Sequence, residues 1–233
     1  GSATGVRGPA PAAAPARCGG PALVKTPAGD GTDAARAIMT TDTGVKQTAV
    51  EFTRGGKRVR LGGMAKGSGM IHPDMATMLV FLTTDAAVSK EMLQQALSGD
   101  VESTFNMMSV DGDTSTNDMV LLLANGEAGN EEITCENDDF RTFMCALNTV
   151  NIELCRMLAG DGEGATKLLD CVVTGAGTLR DARKAAKSVI CSSLVKAAMF
   201  GADANWGRVL CAMGYSGAEF DPEKVDVSFR SAA

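Results

Sequence analysis

The segment Gly62-Gly-Met-Ala-Lys-Gly-Ser-Gly-Met-Ile-His-Pro-Asp-Met-Ala-Thr77 holds the densest group of residues that could do chemistry. Its glycines let the backbone pass close to other groups and reach positive φ. A hydroxyl at Thr77 follows directly, after the small residue Ala76 and within an apolar run. This pattern suits a self-cleaving nucleophile, in which the Thr77 hydroxyl attacks the carbonyl carbon of Ala76.

Such a cut would leave Thr77 with a free α-amine, whose ordinary pKa is about 7.7–8.0. That amine can serve as general base for its own hydroxyl near neutral pH, so no His partner is needed. Two other interpretations stay open. Threonine is β-branched and common in strands, so Thr77 could be purely structural. The single histidine, His72, could instead act as a catalytic base.

Two polar clusters lie downstream. Residues 111–118 begin like a calcium loop, but Thr116 and Leu122 stand where an EF-hand requires Gly and Glu. This cluster is therefore either a turn rich in side-chain-to-backbone bonds or a loop lining a site. Residues 160–167 lack the spacing of a phosphate-binding loop. Within them Glu163 lies between two glycines, where it can point into a cleft.

Composition narrows the function classes. The chain has 233 residues, of which 45% are apolar and 21% charged, as in ordinary globular proteins. A net charge of −6 argues against nucleic acid as a partner. No run of about 18 uncharged apolar residues occurs, so we expect no membrane span. Seven cysteines without a C-x-x-C pair indicate reduced thiols in the cytoplasm, or an organelle matrix in a eukaryote. One His and no paired thiols make a poor set of metal ligands, so no metal site is expected.

The two parts of the chain on either side of the candidate cleavage site differ in net charge. Residues 1–76 carry ten Lys or Arg against five Asp or Glu, whereas residues 77–233 carry twelve against 23. The asymmetry is either chance or a sign that two pieces attract each other.

The elements that must position these residues follow from apolar spacing and turn signals. Gly55-Gly56 between short apolar runs predicts a β-hairpin. Residues 1–33, rich in Ala, Pro and Gly, are expected to form no packed element. Further strands are predicted at 75–82, 119–124, 167–173 and 225–229, and helices at 89–98, 140–158, 178–200 and 206–213. Strands alternating with long helices favour a layered α/β architecture.

Taken together, five blocks closely resemble the self-processing ornithine acetyltransferase (ArgJ) family of arginine biosynthesis. They occur in the family's order, and the resemblance runs from about Ala35 to Phe229. The blocks are Ile38–Thr43, Met64–Leu79, Val110–Asp118, Asp161–Thr166 and Asn205–Arg208.

The resemblance implies a DmpA/ArgJ-like α/β sandwich of helices and sheets of the N-terminal-nucleophile type. It implies a cut at Ala76–Thr77 into α and β subunits that assemble as a heterotetramer. Thr77 would be nucleophile and acetyl carrier, and Thr40, Lys66, Glu163 and Thr77 itself would contact substrate. Residues 35–76 would then be the C-terminal part of the α subunit, and 77–233 a β subunit truncated at its C-terminus.

The implied reaction is a ping-pong acyl transfer that needs no cofactor. Thr77 takes acetyl from N-acetylornithine and releases ornithine. Glutamate then attacks the acetyl-threonine ester and leaves as N-acetylglutamate. Some members of the family also acetylate glutamate from acetyl-CoA, so this is a further possible co-substrate.

Two departures from the family pattern bear on activity. The family has a longer segment before Ala35, with a Thr-Gly pair that supplies the oxyanion hole, and we expect no counterpart in residues 1–34, which would be a disordered tail or a cloning remnant. The family also continues past Phe229 with further substrate contacts. Two alternatives therefore remain: an inactive truncated fragment, or an aminopeptidase or amidase with the same self-processed nucleophile.

Overall fold

The computed structural model describes residues 2–7, 31–72, 78–113 and 117–231, the first of these as backbone only. The strands are β1 Ser2–Arg7, β2 Lys46–Arg54, β3 Lys57–Lys66, β4 Leu79–Thr84 and β5 Met119–Ala124. The helices are α1 Thr32–Ala37, α2 Lys90–Val101, α3 Asp138–Gly160, α4 Leu179–Cys191, α5 Ser193–Phe200 and α6 Trp206–Gly214, with short 3₁₀ turns at Phe105–Met107 and Pro222–Lys224.

The five strands form one mixed sheet in the order β1-β5-β4-β3-β2. Only the central pair, β4 and β5, is parallel, and the other pairs are antiparallel. The predicted hairpin joins β2 to β3, where Arg54 pairs with Lys57. Gly55 and Gly56 adopt φ values of 52° and 73°, which the two-residue turn of a tight hairpin requires. The sequence prediction at this turn is confirmed.

Helices α2 and α3 cover one face of the sheet and build the main core. Alternate residues of β4 and β5 are buried, as expected for strands with one covered face. A side chain caps the start of each helix: Ser89 accepts from the Met92 amide, and Asn137 accepts from the amides of Asp139 and Phe140. The mixed α/β architecture expected from the sequence is confirmed.

Helices α4 to α6 surround a second, smaller apolar cluster around Val189, Val195 and Ala212. Two lysines of these helices form hydrogen bonds with the segment that follows α2. Lys187 Nζ donates to the carbonyl oxygens of Asn106 and Met108, and Lys196 Nζ donates to that of Val110. No helix in the described ranges is long and apolar enough to cross a bilayer.

Three sequence predictions do not hold. The single helix predicted over 178–200 is two helices, because Ser192 ends α4 and caps α5. The strands predicted at 167–173 and 225–229 do not form. In the first of these segments alternate residues do face the small cluster, but no described strand runs beside either segment. Without a neighbour there is no hydrogen-bond ladder, and the alternating pattern alone does not make a strand.

The N-terminal segment also differs from expectation where it is described. Ser2–Arg7 forms β1, the edge strand antiparallel to β5. The expectation of an unpacked tail therefore does not hold for these residues. Residues 8–30 lie outside the described part of the chain.

Gly63 sets how closely α3 approaches β3, and this generates a test of the packing. A Cβ at Gly63 would lie 2.5 Å from Leu82 Cδ2 and 3.0 Å from Leu154 Cδ1. Gly63→Ala should therefore lower the free energy of unfolding by about 1–3 kcal/mol through overpacking. The matched control is Gly99→Ala on the exposed face of α2, where nothing lies within 4 Å. That change should add about 0.5–1 kcal/mol. Urea unfolding of both variants measures this, and equal effects would refute the packing argument.

Candidate active site

A cleft of about 340 Å³ opens at the end of the sheet where β3 finishes. It is built from three separate stretches of chain: the loop before β2, the glycine-rich segment after β3, and the loop after α3. Its lining residues are Thr40, Thr41, Lys66, Gly67, Ser68, Gly69, Met70, Asp113 and Glu163.

Lys66 brings a nearly buried ammonium to this cleft. The residue is 6% exposed, and its Nζ donates a hydrogen bond of 2.8 Å to Thr40 Oγ1. A cation held away from water favours an anionic partner, because burial removes hydration that a ligand carboxylate can replace. The Lys66–Thr40 pair is thus suited to hold a carboxylate.

Glu163 enters the cleft from the other side, on the loop that follows α3. Its backbone N–H donates to the Ser68 carbonyl oxygen at 2.8 Å, which joins this loop to the glycine-rich segment. A Cβ at Gly69 would lie 2.8 Å from Glu163 Oε1. A side chain at position 69 would therefore require the Glu163 carboxylate to move.

Below the cleft, a buried lysine joins two carboxylates. Lys46 Nζ lies 2.5 Å from Asp42 Oδ1 and 2.5 Å from Asp161 Oδ2, and the Lys46 side chain is 2% exposed. Asp42 also accepts from the amides of Thr40 at 3.1 Å and Gly67 at 2.7 Å. Asp161 accepts from the amide and hydroxyl of Thr43.

These contacts hold both carboxylates ionised. Burial raises the pKa of Asp42, but hydrogen bonds from the Gly67 amide, the Lys46 ammonium and the Thr40 amide outweigh burial and lower that pKa to about 2. Burial likewise opposes ionisation of Asp161, yet hydrogen bonds from Lys46 and Thr43 lower its pKa below the ordinary value.

Asp111 fixes the segment beyond the glycines. Its two carboxylate oxygens accept from the amides of Met70 at 2.5 Å and Ile71 at 3.0 Å. Met70 has a φ of 55°, a left-handed conformation that a non-glycine residue rarely adopts. Asp113 also lines the cleft, and its amide donates to Asp111 Oδ1. The described part of the 111–118 cluster therefore both lines a site and forms side-chain-to-backbone bonds.

The rival base, His72, lies on the same segment but faces other groups. Its Nδ1 is 3.0 Å from Ser109 Oγ and 3.6 Å from Cys191 Sγ. His72 is not among the residues that line the cleft.

Asp118 stands at the start of β5, beside the start of β4. Its Oδ1 accepts from the Met78 amide at 2.8 Å, and Met78 is the residue directly after Thr77. Burial raises the pKa of Asp118 to about 6, although the Met78 hydrogen bond opposes this shift. Asp118 is therefore a carboxyl group that changes charge near neutral pH and is bonded to Met78, the residue that follows Thr77 in the sequence.

Three of the four predicted substrate contacts lie together. Thr40, Lys66 and Glu163 all line the cleft, whereas Ala76 and Thr77 lie outside the described residues. The roles assigned to all of them stay predictions. Sequence reasoning missed Lys46 and its two carboxylate partners as parts of the site. The only indication of their role in the sequence was that Asp42 and Asp161 fall within two of the blocks that resemble the family.

Comparison with known proteins decides the family. A model of the ArgJ family matches residues 2–233. The chain belongs to the ArgJ family. It is 59% identical over 203 residues to "Arginine biosynthesis bifunctional protein ArgJ 1" of Clostridium acetobutylicum, which covers 87% of this chain and 50% of that protein. It is 61% identical over 197 residues to the ArgJ protein of Symbiobacterium thermophilum, covering 84% and 49%.

A solved structure agrees with this assignment. The crystal structure of the ArgJ protein of Bacillus halodurans matches with a TM-score of 0.59 and 51% identity, over 60% of this chain and 66% of that one. The ArgJ-like α/β fold expected from the sequence is confirmed. The chain spans about half the length of the curated ArgJ relatives that it matches.

The family match also reaches the N-terminal segment for which we expected no counterpart. A Thr-Gly pair does occur there, as Thr4-Gly5 in β1. The register places Thr4 opposite Leu122 and Gly5 opposite Leu121 of β5. These leucines lie three and two residues after Met119, which pairs with Leu79 at the start of β4. The family model therefore extends beyond the start near Ala35 that the resemblance indicated. The strand register does not bring Thr4 beside the start of β4.

Asp118 gives the site a pH dependence that can be measured. A carboxyl group whose pKa is raised on folding stabilises the fold at low pH, and this contribution is lost as pH rises through about 6. Lowering pH from 7 to 5 should therefore add about 1 kcal/mol to the free energy of unfolding through this group. Asp118→Asn should lack that gain, and Asp113→Asn, an exposed carboxylate of the same loop, should keep it. Denaturant titrations at the two pH values test this, and an equal gain in wild type and Asp118→Asn would contradict it.

Proposed function

We propose that this chain carries the catalytic centre of a self-processing acyltransferase that moves acetyl from N-acetylornithine to glutamate. Membership of the ArgJ family supports an enzyme of arginine biosynthesis. The observation that carries the finer proposal is the cleft: a buried ammonium at Lys66 and a carboxylate at Glu163 face the same space. These are the groups that complement an amino acid bearing both charges.

The nucleophile of the proposal is Thr77. Lys66 pairs with Leu79 across β3 and β4, and Leu79 is joined to Thr77 through Met78 alone. Leu79, two residues after Thr77 in the sequence, therefore lies at the end of the sheet where the cleft opens. In the self-cleavage step, Thr77 Oγ1 attacks the Ala76 carbonyl carbon and the C–N bond breaks. This step frees the α-amine of Thr77 and leaves Ala76 as an ester on the Thr77 oxygen. Water then hydrolyses that ester, which releases the Ala76 carboxylate and restores the Thr77 hydroxyl.

Acetyl transfer then uses the same oxygen twice. The Thr77 hydroxyl, deprotonated by its own α-amine, attacks the acetyl carbonyl of N-acetylornithine, and ornithine leaves as the amine. The amine of glutamate attacks the acetyl-threonine ester, so N-acetylglutamate leaves and the hydroxyl is restored. Lys66 would hold the α-carboxylate in both halves of the reaction, and Glu163 would meet the side-chain ammonium of ornithine. Acetyl-CoA would be an alternative donor to the same oxygen.

The two proposed subunits would stay together after the cut. Strands β3 and β4 lie on either side of it and pair from Lys66–Leu79 to Leu61–Thr84. Separation would expose two central strand edges, which is unfavourable. The opposite net charges of the two pieces would add a weak, salt-dependent attraction.

The first test is self-cleavage of the purified chain. Wild type should convert without added protease into pieces of 76 and 157 residues, because the attack is intramolecular and gains from proximity. Thr77→Ala removes the nucleophile and should remain one chain, and Thr77→Ser should cut in part. Intact mass and denaturing gels report the result. A missing oxyanion donor would slow the cut by about 10²–10³.

Different outcomes separate the alternatives. If wild type and Thr77→Ala give the same two bands, an external protease is responsible and the nucleophile assignment is wrong. If the chain never cuts, it is the inert fragment. If it cuts and hydrolyses a peptide amide but does not transfer acetyl from N-acetylornithine to glutamate, it is an amidase.

The second test separates the two charged residues of the cleft. Lys66→Met should weaken binding of both N-acetylornithine and N-acetylglutamate about tenfold or more, because both share the α-carboxylate. Glu163→Gln should weaken N-acetylornithine only, by about two- to fivefold, since an exposed ion pair contributes little. Lys57→Met in the exposed hairpin is the control and should bind like wild type. Calorimetry measures all three, and unchanged binding by Lys66→Met would refute the assignment.

A further inference from the structure

Lys46 is a charged residue at a buried position. It is the first residue of β2 and is almost completely buried, although lysine is one of the residues least often buried. Burying an ion pair costs free energy because its charges leave water. A protein with well-packed apolar side chains in place of the pair is often equally stable. The stability of β2 alone therefore gives no reason for Lys46.

The contacts of Lys46 reach each stretch of chain that builds the cleft. Through Asp42 it is joined to the amide of Thr40, on the loop before β2, and to that of Gly67, directly after Lys66. Through Asp161 it is joined to the end of α3, two residues before Glu163. No other lysine within the described ranges forms salt bridges with two carboxylates.

We propose that Lys46, Asp42 and Asp161 form a positioning network that holds Thr40, Lys66 and Glu163 at a fixed separation around the cleft. The inference rests on the proposed function only for the identity of the ligand. None of the three network residues is among those that line the cleft, so each acts through the backbone it holds and not by touching substrate.

The geometry shows why one lysine suffices. Asp42 and Asp161 come from loops more than a hundred residues apart in sequence, and two carboxylates brought together without a cation would repel each other. Lys46 cancels one of the two charges and donates to both groups. Removing it would leave Asp42 buried and facing Asp161, so the loop before β2 and the loop after α3 would separate.

The test compares two carboxylates that each accept hydrogen bonds from two side chains. Asp161→Asn weakens the network at its least buried member, and Lys46→Met removes its centre. The control is Asp100→Asn, at a residue 2% exposed whose carboxylate accepts from Asn148 and Asn151 between α2 and α3. All three changes disturb hydrogen-bonded groups that are largely shielded from solvent, but only the first two belong to the network.

The direct readout is amide hydrogen exchange, which needs no activity. Asp161→Asn should raise exchange about tenfold or more at the amides of Thr43, Gly67 and Glu163, whose acceptors belong to the network or to the loop joined to it. Asp100→Asn should leave these amides unchanged even if its melting temperature falls further. If exchange at Gly67 and Glu163 is the same in Asp161→Asn as in wild type, the network does not position the cleft. Should Lys46→Met fail to fold, Asp161→Asn still decides.

A second readout separates this inference from the proposed function. Calorimetry should show N-acetylornithine binding about tenfold more weakly to Asp161→Asn than to Asp100→Asn, each assayed where it is folded. If exchange rises in Asp161→Asn but the wild-type protein binds no N-acetylornithine, the positioning network is supported and the proposed ligand is wrong. If exchange rises in Asp161→Asn but this variant binds N-acetylornithine as tightly as the wild-type protein does, the fixed separation of the cleft residues does not matter for binding.

Discussion

A single buried ammonium organises the end of the molecule at which the candidate active site lies. Lys46 is held between Asp42 and Asp161 with both distances at 2.5 Å, and both carboxylates have pKa values below their ordinary range. Such a group is costly to bury and costly to break once formed, because removing one member leaves an uncompensated charge. The loops that carry Thr40 and Glu163 have little regular structure of their own. Their geometry therefore depends on this ion network and on the backbone bond from Glu163 to Ser68.

The sheet supplies the rigid side of the same arrangement. Its parallel centre, β4 and β5, is covered on one face by α2 and α3, and the approach of α3 is close enough to require glycine at position 63. Lys66 is the last residue of β3, so its backbone is fixed by pairing with Leu79. The cleft thus has one wall set by hydrogen-bonded strands and another set by charged contacts between loops. Pairing between strands fixes the position of Lys66, and the charged contacts between loops place the carboxylate of Glu163 on the opposite side of the cleft.

Local features of this fold could be predicted from sequence, and non-local ones could not. The hairpin at Gly55-Gly56 and the helix starts at Ser89 and Thr178 depend on residues within a few positions of each other, and the structure has them. Residues 167–173 alternate as a strand should, yet pairing needs a neighbour that sequence pattern cannot supply. The meeting of Thr40, Lys66 and Glu163 was expected only through a family resemblance, whereas the ion network was missed because Lys46 and Asp161 are 115 positions apart.

The different exposure of the two charged cleft residues fits what a shared acyl-transfer site must do. In the proposed reaction, N-acetylornithine and N-acetylglutamate have the same acetamido group and α-carboxylate but side chains of opposite charge. A site that serves both must bind the common part firmly and the variable part weakly. Lys66 is 6% exposed, so its attraction for the shared carboxylate is little screened by solvent. Glu163 is exposed, where water and salt reduce its preference for one side-chain charge. Burying Glu163 as deeply as Lys66 would strengthen its pairing with ornithine, but it would also exclude glutamate from the second half of the reaction.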